Sequence, residues 1–281
     1  MAAVAVAGRN GTPCSSEEQC LPDHVPNGSA PRCLAVTTGP GASCVTDHNP
    51  HNASCACGFE VCNRTVANPA VVSKRQLLVI GDSISFGWFG RVASNLSKEW
   101  QLTHAGDHPD TGYGATDNNG NTNWISHCLW QPGGGWLGPE PGRWDAILLN
   151  GGLHDLATDN QHIDLPTYKT LLSQTVRILA ARSPRAQVLW LTTTPAPTNP
   201  PTPLFPERLQ SSVLAYNKAA AVVVSAAQIP SCDLFSVITS RCGGDKYSIC
   251  PGIQKPSGIH YENGGWDLLA SAVAGCVRNL L

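Results

Sequence analysis

Four aliphatic residues, Leu77-Leu78-Val79-Ile80, run without interruption into Gly81-Asp82-Ser83, and the stretch that follows, 86–100, has apolar residues at helical spacing. A short continuous apolar run suits a strand buried on both faces, the condition of a strand inside a parallel sheet covered by helices. The pattern recurs along the chain. Segments 76–80, 101–104, 145–149, 187–191 and 232–237 read as strands, and 86–100, 167–182, 207–227 and 264–280 as helices. Strands alternating with helices predict βαβ units, hence an α/β fold whose parallel sheet is covered on both sides. No internal repeat interrupts this order.

The part before residue 69 is different. Of the 12 cysteines, seven lie between Cys14 and Cys62 and five between Cys128 and Cys276. Both groups are odd, so complete pairing requires at least one bridge between them. Residues 1–68 are also rich in Pro, Gly, Asn and Ser, which predicts a small disulfide-stapled module ahead of a main domain over 69–281. Sequons at Asn10, Asn27, Asn52, Asn63 and Asn95 point to the same oxidising route, so a mature secreted or lumenal glycoprotein is expected. The opening, 1–11, lacks the basic region and the apolar length of a signal peptide. The tightest cluster for a metal site, Cys55, Cys57 and Cys62, lacks a second Cys-x-x-Cys or a histidine pair at zinc spacing; no metal and no cofactor is expected.

Composition excludes some partners. A formal net charge of -2 and the lack of a Lys/Arg run give no electrostatic footing for nucleic acid. No segment approaches the roughly 20 apolar residues of a transmembrane helix. At 281 residues with 42% hydrophobic content the chain can bury a full core, and a monomer is expected.

Ligands of open α/β sheets bind beyond the carboxyl ends of the strands, which is where Ser83 stands. Asp82 and Ser83 are also ordinary helix caps. A serine that acts as a nucleophile needs a base and donors for the oxyanion it creates. His260, in Ser257-Gly258-Ile259-His260-Tyr261, sits in a loop before the last helix, free to point into a site. Asn150-Gly151-Gly152-Leu153-His154-Asp155 ends the third strand at the same sheet edge, and Gly112 and Gly114 follow the second, where their backbone N–H groups can approach an oxyanion. Two long connections, 106–143 and 192–206, leave the same edge. The first carries Trp124, Trp130 and Trp136, which either line a substrate cleft, as rigid faces for a sugar or acyl chain, or pack the loop onto the body.

These four places, in this order, resemble the blocks of the SGNH hydrolases, the GDSL esterase and lipase family, over about residues 76–280. The resemblance implies a three-layer α/β/α sandwich with a flavodoxin-like, mostly parallel sheet, no metal, and acyl transfer from an ester through a Ser83 acyl-enzyme with His260 as base. It implies oxyanion donors at the backbone of Ser83 and Gly114 and at a third-block side chain. Two positions depart from the family pattern. His154 stands where the family has asparagine, so its imidazole or the nearby Asn150 is the candidate third donor. Ser257 stands where the family has the triad aspartate, which leaves a Ser–His dyad, a carboxylate from elsewhere (Asp155, Asp245 or Glu262), or a protein that binds without turnover. The cysteine-rich start resembles that of glycan-directed members. A short-chain O-acyl ester on a carbohydrate is the expected substrate, with a lipid ester as the alternative and transfer to a sugar hydroxyl as a variant of the reaction.

Overall fold

In the computed structural model of this chain, the described residues are 19–21, 32–34, 74–105, 120–130, 135–138, 142–158, 161–201, 204, 207–256 and 258–280. Two three-residue strands, β1 (Gln19–Leu21) and β2 (Arg32–Leu34), pair antiparallel with Cys20 opposite Cys33. The remainder of the predicted 1–68 module and its boundary lie outside the described residues.

Five strands form the main sheet: β3 (Arg75–Ile80), β4 (Trp100–His104), β5 (Ala146–Leu149), β6 (Gln187–Leu191) and β7 (Ser231–Cys232). All neighbours are parallel, in the order β4-β3-β5-β6-β7. β3 and β5 are central, and Leu77 to Ile80 and Ala146 to Leu149 are buried. That is why their sequences read as continuous apolar runs rather than alternating ones. Numbered within the sheet, the order is 2-1-3-4-5, the flavodoxin-like winding, in which the chain turns in opposite directions from β3 and β5 and leaves a crevice at their carboxyl ends.

Helices α1 (Ser83–Asn95), α2 (Thr122–Trp130), α3 (Leu165–Arg182), α4 (Gln210–Ala226), α5 (Leu234–Arg241) and α6 (Asn263–Arg278) complete the layers. α1 packs on α6 and α6 on α5, while α2, α3 and α4 pack in series. Each long helix buries one stripe. In α1 the buried positions are Ile84, Ser85, Trp88, Phe89 and Val92, and in α6 they include Leu269, Ala270, Val273, Ala274 and Val277, the spacing of a single helical face. No helix among the described residues is long and apolar enough to cross a membrane.

Three expectations change. The predicted strand 232–237 is cut to β7, because Asp233 caps a helix there: its Oδ1 accepts from Ser236 N at 3.0 Å, and Leu234 and Ile238 then fall on one buried helical face. The first helix starts at Ser83 and ends at Asn95, since Asp82 caps it earlier and Trp100 is already in β4. The connection 106–143, read as loop, contains α2, whose Ile125, Cys128 and Leu129 are buried, and a short 3-10 turn over Gly135–Leu137.

Two disulfides hold the carboxyl-terminal third: Cys232–Cys276 ties β7 to α6, and Cys242–Cys250 closes a small loop after α5. Cys128 is disulfide-bonded as well. The 44-residue separation of the first pair removes much chain entropy from the unfolded state. Replacing Cys232 and Cys276 together by Ala is expected to cost about 2–4 kcal/mol, read as a lowered midpoint in thermal or urea unfolding under non-reducing conditions; an unchanged midpoint would remove the bridge from any stabilising role.

Candidate active site

β3 is flanked by neighbours to its last residue, with Ala105 N donating to Val79 O at 2.7 Å and Asn150 N to Ile80 O at 2.9 Å. The chain then turns sharply. Asp82 is extended, its Oδ1 accepts from Ile84 N at 2.9 Å and its carbonyl accepts from Ser85 N at 2.9 Å, so that Ser83 becomes the first residue of α1. A backbone N–H at that position has no acceptor within its own helix. Beneath it, Ser85 Oγ lies 2.6 Å from Asp82 O and 2.6 Å from His104 Nε2. His104 is fully buried, stacks on Phe86 with ring centroids 4.1 Å apart, and directs Nδ1 to Ala105 O at 3.0 Å. Burial pushes its pKa down to about 4. With Nδ1–H given to Ala105 O, Nε2 of the neutral ring carries only a lone pair, and the single Ser85 hydroxyl proton is shared between it and Asp82 O.

Ser83 Oγ and His260 Nε2 are 2.8 Å apart. His260 is delivered by a loop pinned on both sides, with Lys255 N donating to His260 O at 2.9 Å and Glu262 N to Ile253 O at 2.8 Å. α6 begins directly against this loop. A Cβ on Gly265 would lie 2.2 Å from Ile253 O, so only glycine allows the helix to seat there. Burial lowers the pKa of His260; the Asp82 carboxylate opposes that, and Lys255, Arg208 and His154 add to it. The imidazole is therefore neutral at neutral pH, the state in which it can take a proton. Ser257 lies outside the described residues. Of the other carboxylates considered from sequence, neither Asp245 nor Glu262 bonds His260, and Asp155 is turned elsewhere.

The segment 150–156 is fastened from several elements. Asn150 Nδ2 donates to Leu191 O at 2.8 Å and to Thr192 O at 3.5 Å, so its amide hydrogens face β6. Thr193 Oγ1 donates to Gly151 O at 3.1 Å, and Gly152 has φ +140, where an added Cβ would lie 2.5 Å from Thr193 Oγ1. Arg208 Nε donates to Leu153 O at 2.7 Å. His154 Nδ1 bonds Gln161 Oε1, a carbonyl oxygen that can only accept. In the neutral ring this leaves Nε2 of His154 as an acceptor, and it donates there only as an imidazolium. Asp155 is fully buried and receives Thr122 N at 3.0 Å and Thr122 Oγ1 at 2.5 Å, which caps α2 from a distance.

Gly112 and Gly114 lie outside the described residues. Trp124 and Trp136 are core residues, 5% and 0% exposed, and Trp130 ends α2. Residues the sequence did not single out include Ser85, His104 and Arg208. Asn121 caps α2, its Oδ1 accepting from Trp124 N at 3.0 Å; the Thr122–Asp155 pair beside it was not legible, because its members are 33 residues apart. A cavity of about 580 Å³ opens beside this segment, lined by Thr198, Leu204, Arg208, Leu214 and Lys246 among others. Among the described residues no His, Cys, Asp and Glu group could hold a metal ion.

Residues 79–261 match the model of the GDSL-like Lipase/Acylhydrolase family. No curated protein matches the chain in sequence. Solved structures similar in fold include a lipase/acylhydrolase from Enterococcus faecalis, at 18% identity over 74% of this chain and 97% of that one, TM-score 0.52. The carbohydrate acetylesterase Est24 from Sinorhizobium meliloti is similar at 16% identity, 74% and 100% coverage and TM-score 0.50. The aryl esterase of M. smegmatis is similar at 18%, 74% and 100%, with TM-score 0.51.

Burial raises the Asp155 pKa to about 7, against the Thr122 hydrogen bonds that pull it down. A carboxyl whose folded pKa lies above its unfolded value of 3.8 contributes stability below 3.8 that is lost as pH rises toward 7. Asn cannot ionise and keeps an acceptor for Thr122. The thermal midpoint of Asp155→Asn is therefore expected to gain on that of the parent protein between pH 4 and 8, the acid-side effect of His104 being common to both; parallel curves would contradict this.

Proposed function

Because the chain belongs to the GDSL-like lipase/acylhydrolase family, a family of ester-hydrolysing enzymes, we propose that it is a serine esterase whose nucleophile is Ser83 and whose base is His260. The observation that carries this reading is the 2.8 Å approach of Ser83 Oγ to His260 Nε2 at the carboxyl edge of the sheet. Ser83 Oγ attacks the ester carbonyl carbon as its proton passes to His260 Nε2. The tetrahedral oxyanion is held by the backbone N–H groups of Ser83 and Gly114. Collapse of the intermediate breaks the bond to the alkoxy oxygen, which leaves with the proton from His260. Water, deprotonated by the same nitrogen, then releases the acid and restores Ser83; a sugar hydroxyl in place of water makes the reaction an acyl transfer.

A short O-acyl ester on a carbohydrate is the substrate we favour over a lipid ester. The similarity to Est24, described as a carbohydrate acetylesterase, supports it. The disulfides at Cys232–Cys276 and Cys242–Cys250, with the five sequons, support a secreted or lumenal site of action.

Intact-mass measurement after exposure to a fluorophosphonate is expected to find one adduct, lost in Ser83→Ala. His260→Ala is expected to lower kcat/KM on p-nitrophenyl acetate by about three orders of magnitude or more. Absence of any adduct on the parent protein would favour the binding protein that Ser257, in place of the family aspartate, leaves open. For the substrate, acetylated xylo-oligosaccharides should be turned over with higher kcat/KM than esters of long fatty acids; the reverse order would favour a lipid esterase.

A further inference from the structure

His260 makes one side-chain hydrogen bond among the described residues, to Ser83, and none from Nδ1 to a carboxylate. In a serine–histidine pair the ring becomes positive as Ser83 attacks, and a positive ring that is more than half buried needs a compensating charge. The groups whose fields reach it are Asp82 on the turn before α1, Lys255 on its own loop, Arg208 ahead of α4 and His154 beyond β5. Three of the four are basic. Asp82 is the one carboxylate in this set, and its field also reaches Tyr261, the residue after His260.

The placement of Asp82 is unusual for a helix cap. It is 1% exposed, and capping needs one oxygen: Oδ1 accepts from Ile84 N at 2.9 Å. Oδ2 is buried and has no hydrogen-bond partner. A buried carboxylate oxygen without a donor is costly, and is retained where its charge serves another group. Asp82 directly precedes Ser83, whose Oγ touches His260, and its backbone is locked by Ser85 N at 2.9 Å and Ser85 Oγ at 2.6 Å. The turn therefore fixes the carboxylate and the nucleophile as one unit. We propose that Asp82 is a positioning residue acting through His260: it supplies, from the nucleophile's own turn, the negative charge that stabilises the His260 imidazolium where Ser257 supplies none.

This rests on the serine–histidine reading above, and the experiment separates the two. Asp82→Asn keeps an acceptor for Ile84 N and removes the charge; Asp82→Ser is a second uncharged cap. Histidine ring titration by NMR, with His260 assigned through His260→Gln, is expected to move the His260 pKa down by about 1 unit or more in both variants. The acid limb of kcat/KM on p-nitrophenyl acetate should shift to lower pH by the same amount, with kcat/KM at neutral pH reduced about 10- to 100-fold. A structural cap alone would leave the His260 titration and the acid limb unmoved, and that result in either folded variant overturns the proposal. A shifted titration without turnover by the parent protein would uphold the role of Asp82 in charging His260 while rejecting the esterase reading.

Discussion

The contact between Ser83 and His260 joins residues 177 apart in sequence, and the geometry on either side of it depends on how their two turns are held. Neither turn is a free loop. The serine is fixed because β3 runs into the sheet without a frayed end and α1 is capped at once by Asp82. The histidine is fixed because a pinned loop and glycines at the start of α6 let that helix sit against the backbone of residues 252 and 253. α1 and α6 then pack against each other, so the helices adjoining Ser83 and His260 share one layer.

Much of this was legible in the chain because the physics is local. Continuous apolar runs at 77–80 and 146–149 mark strands buried on both faces, and the four predicted helices and the strands at 101–104 and 187–191 follow from the pattern around them. The misreadings share a cause. Segment 232–237 has β-forming Phe235, Val237 and Ile238 nearby, yet Asp233 and Ser236 set a cap whose hydrogen bond outweighs that propensity. α2 hides among Gly and Asn residues because part of its cap comes from Asp155, and no window of sequence contains both partners. Composition left Trp124 and Trp136 open between lining a cleft and packing the loop onto the body; their burial depends on the packing of α2 and the 3-10 turn, which composition does not encode.

The site shows the same division. Ser83 and His260 could be picked out by position, since each sits beside a predicted element boundary. Their supporting groups could not. The Ser85–His104 pair below the turn, the Arg208 bond to Leu153 O and the Asn150 bond to β6 are long-range contacts made by residues of ordinary type. These contacts make 150–156 a rigid platform, and they commit the Asn150 amide to the sheet and the His154 Nδ1 proton to Gln161. A histidine at the third-block position therefore differs from the family's asparagine in kind: an imidazole carries one or two N–H groups according to its charge, whereas an amide always carries two.

The Cys232–Cys276 bridge has a topological meaning of its own. It closes the chain from β7 to α6 into a covalent ring, and His260 lies on that ring. A single backbone scission anywhere between the two cysteines would open the ring without releasing either end, so the histidine would stay tethered to the sheet that carries the serine.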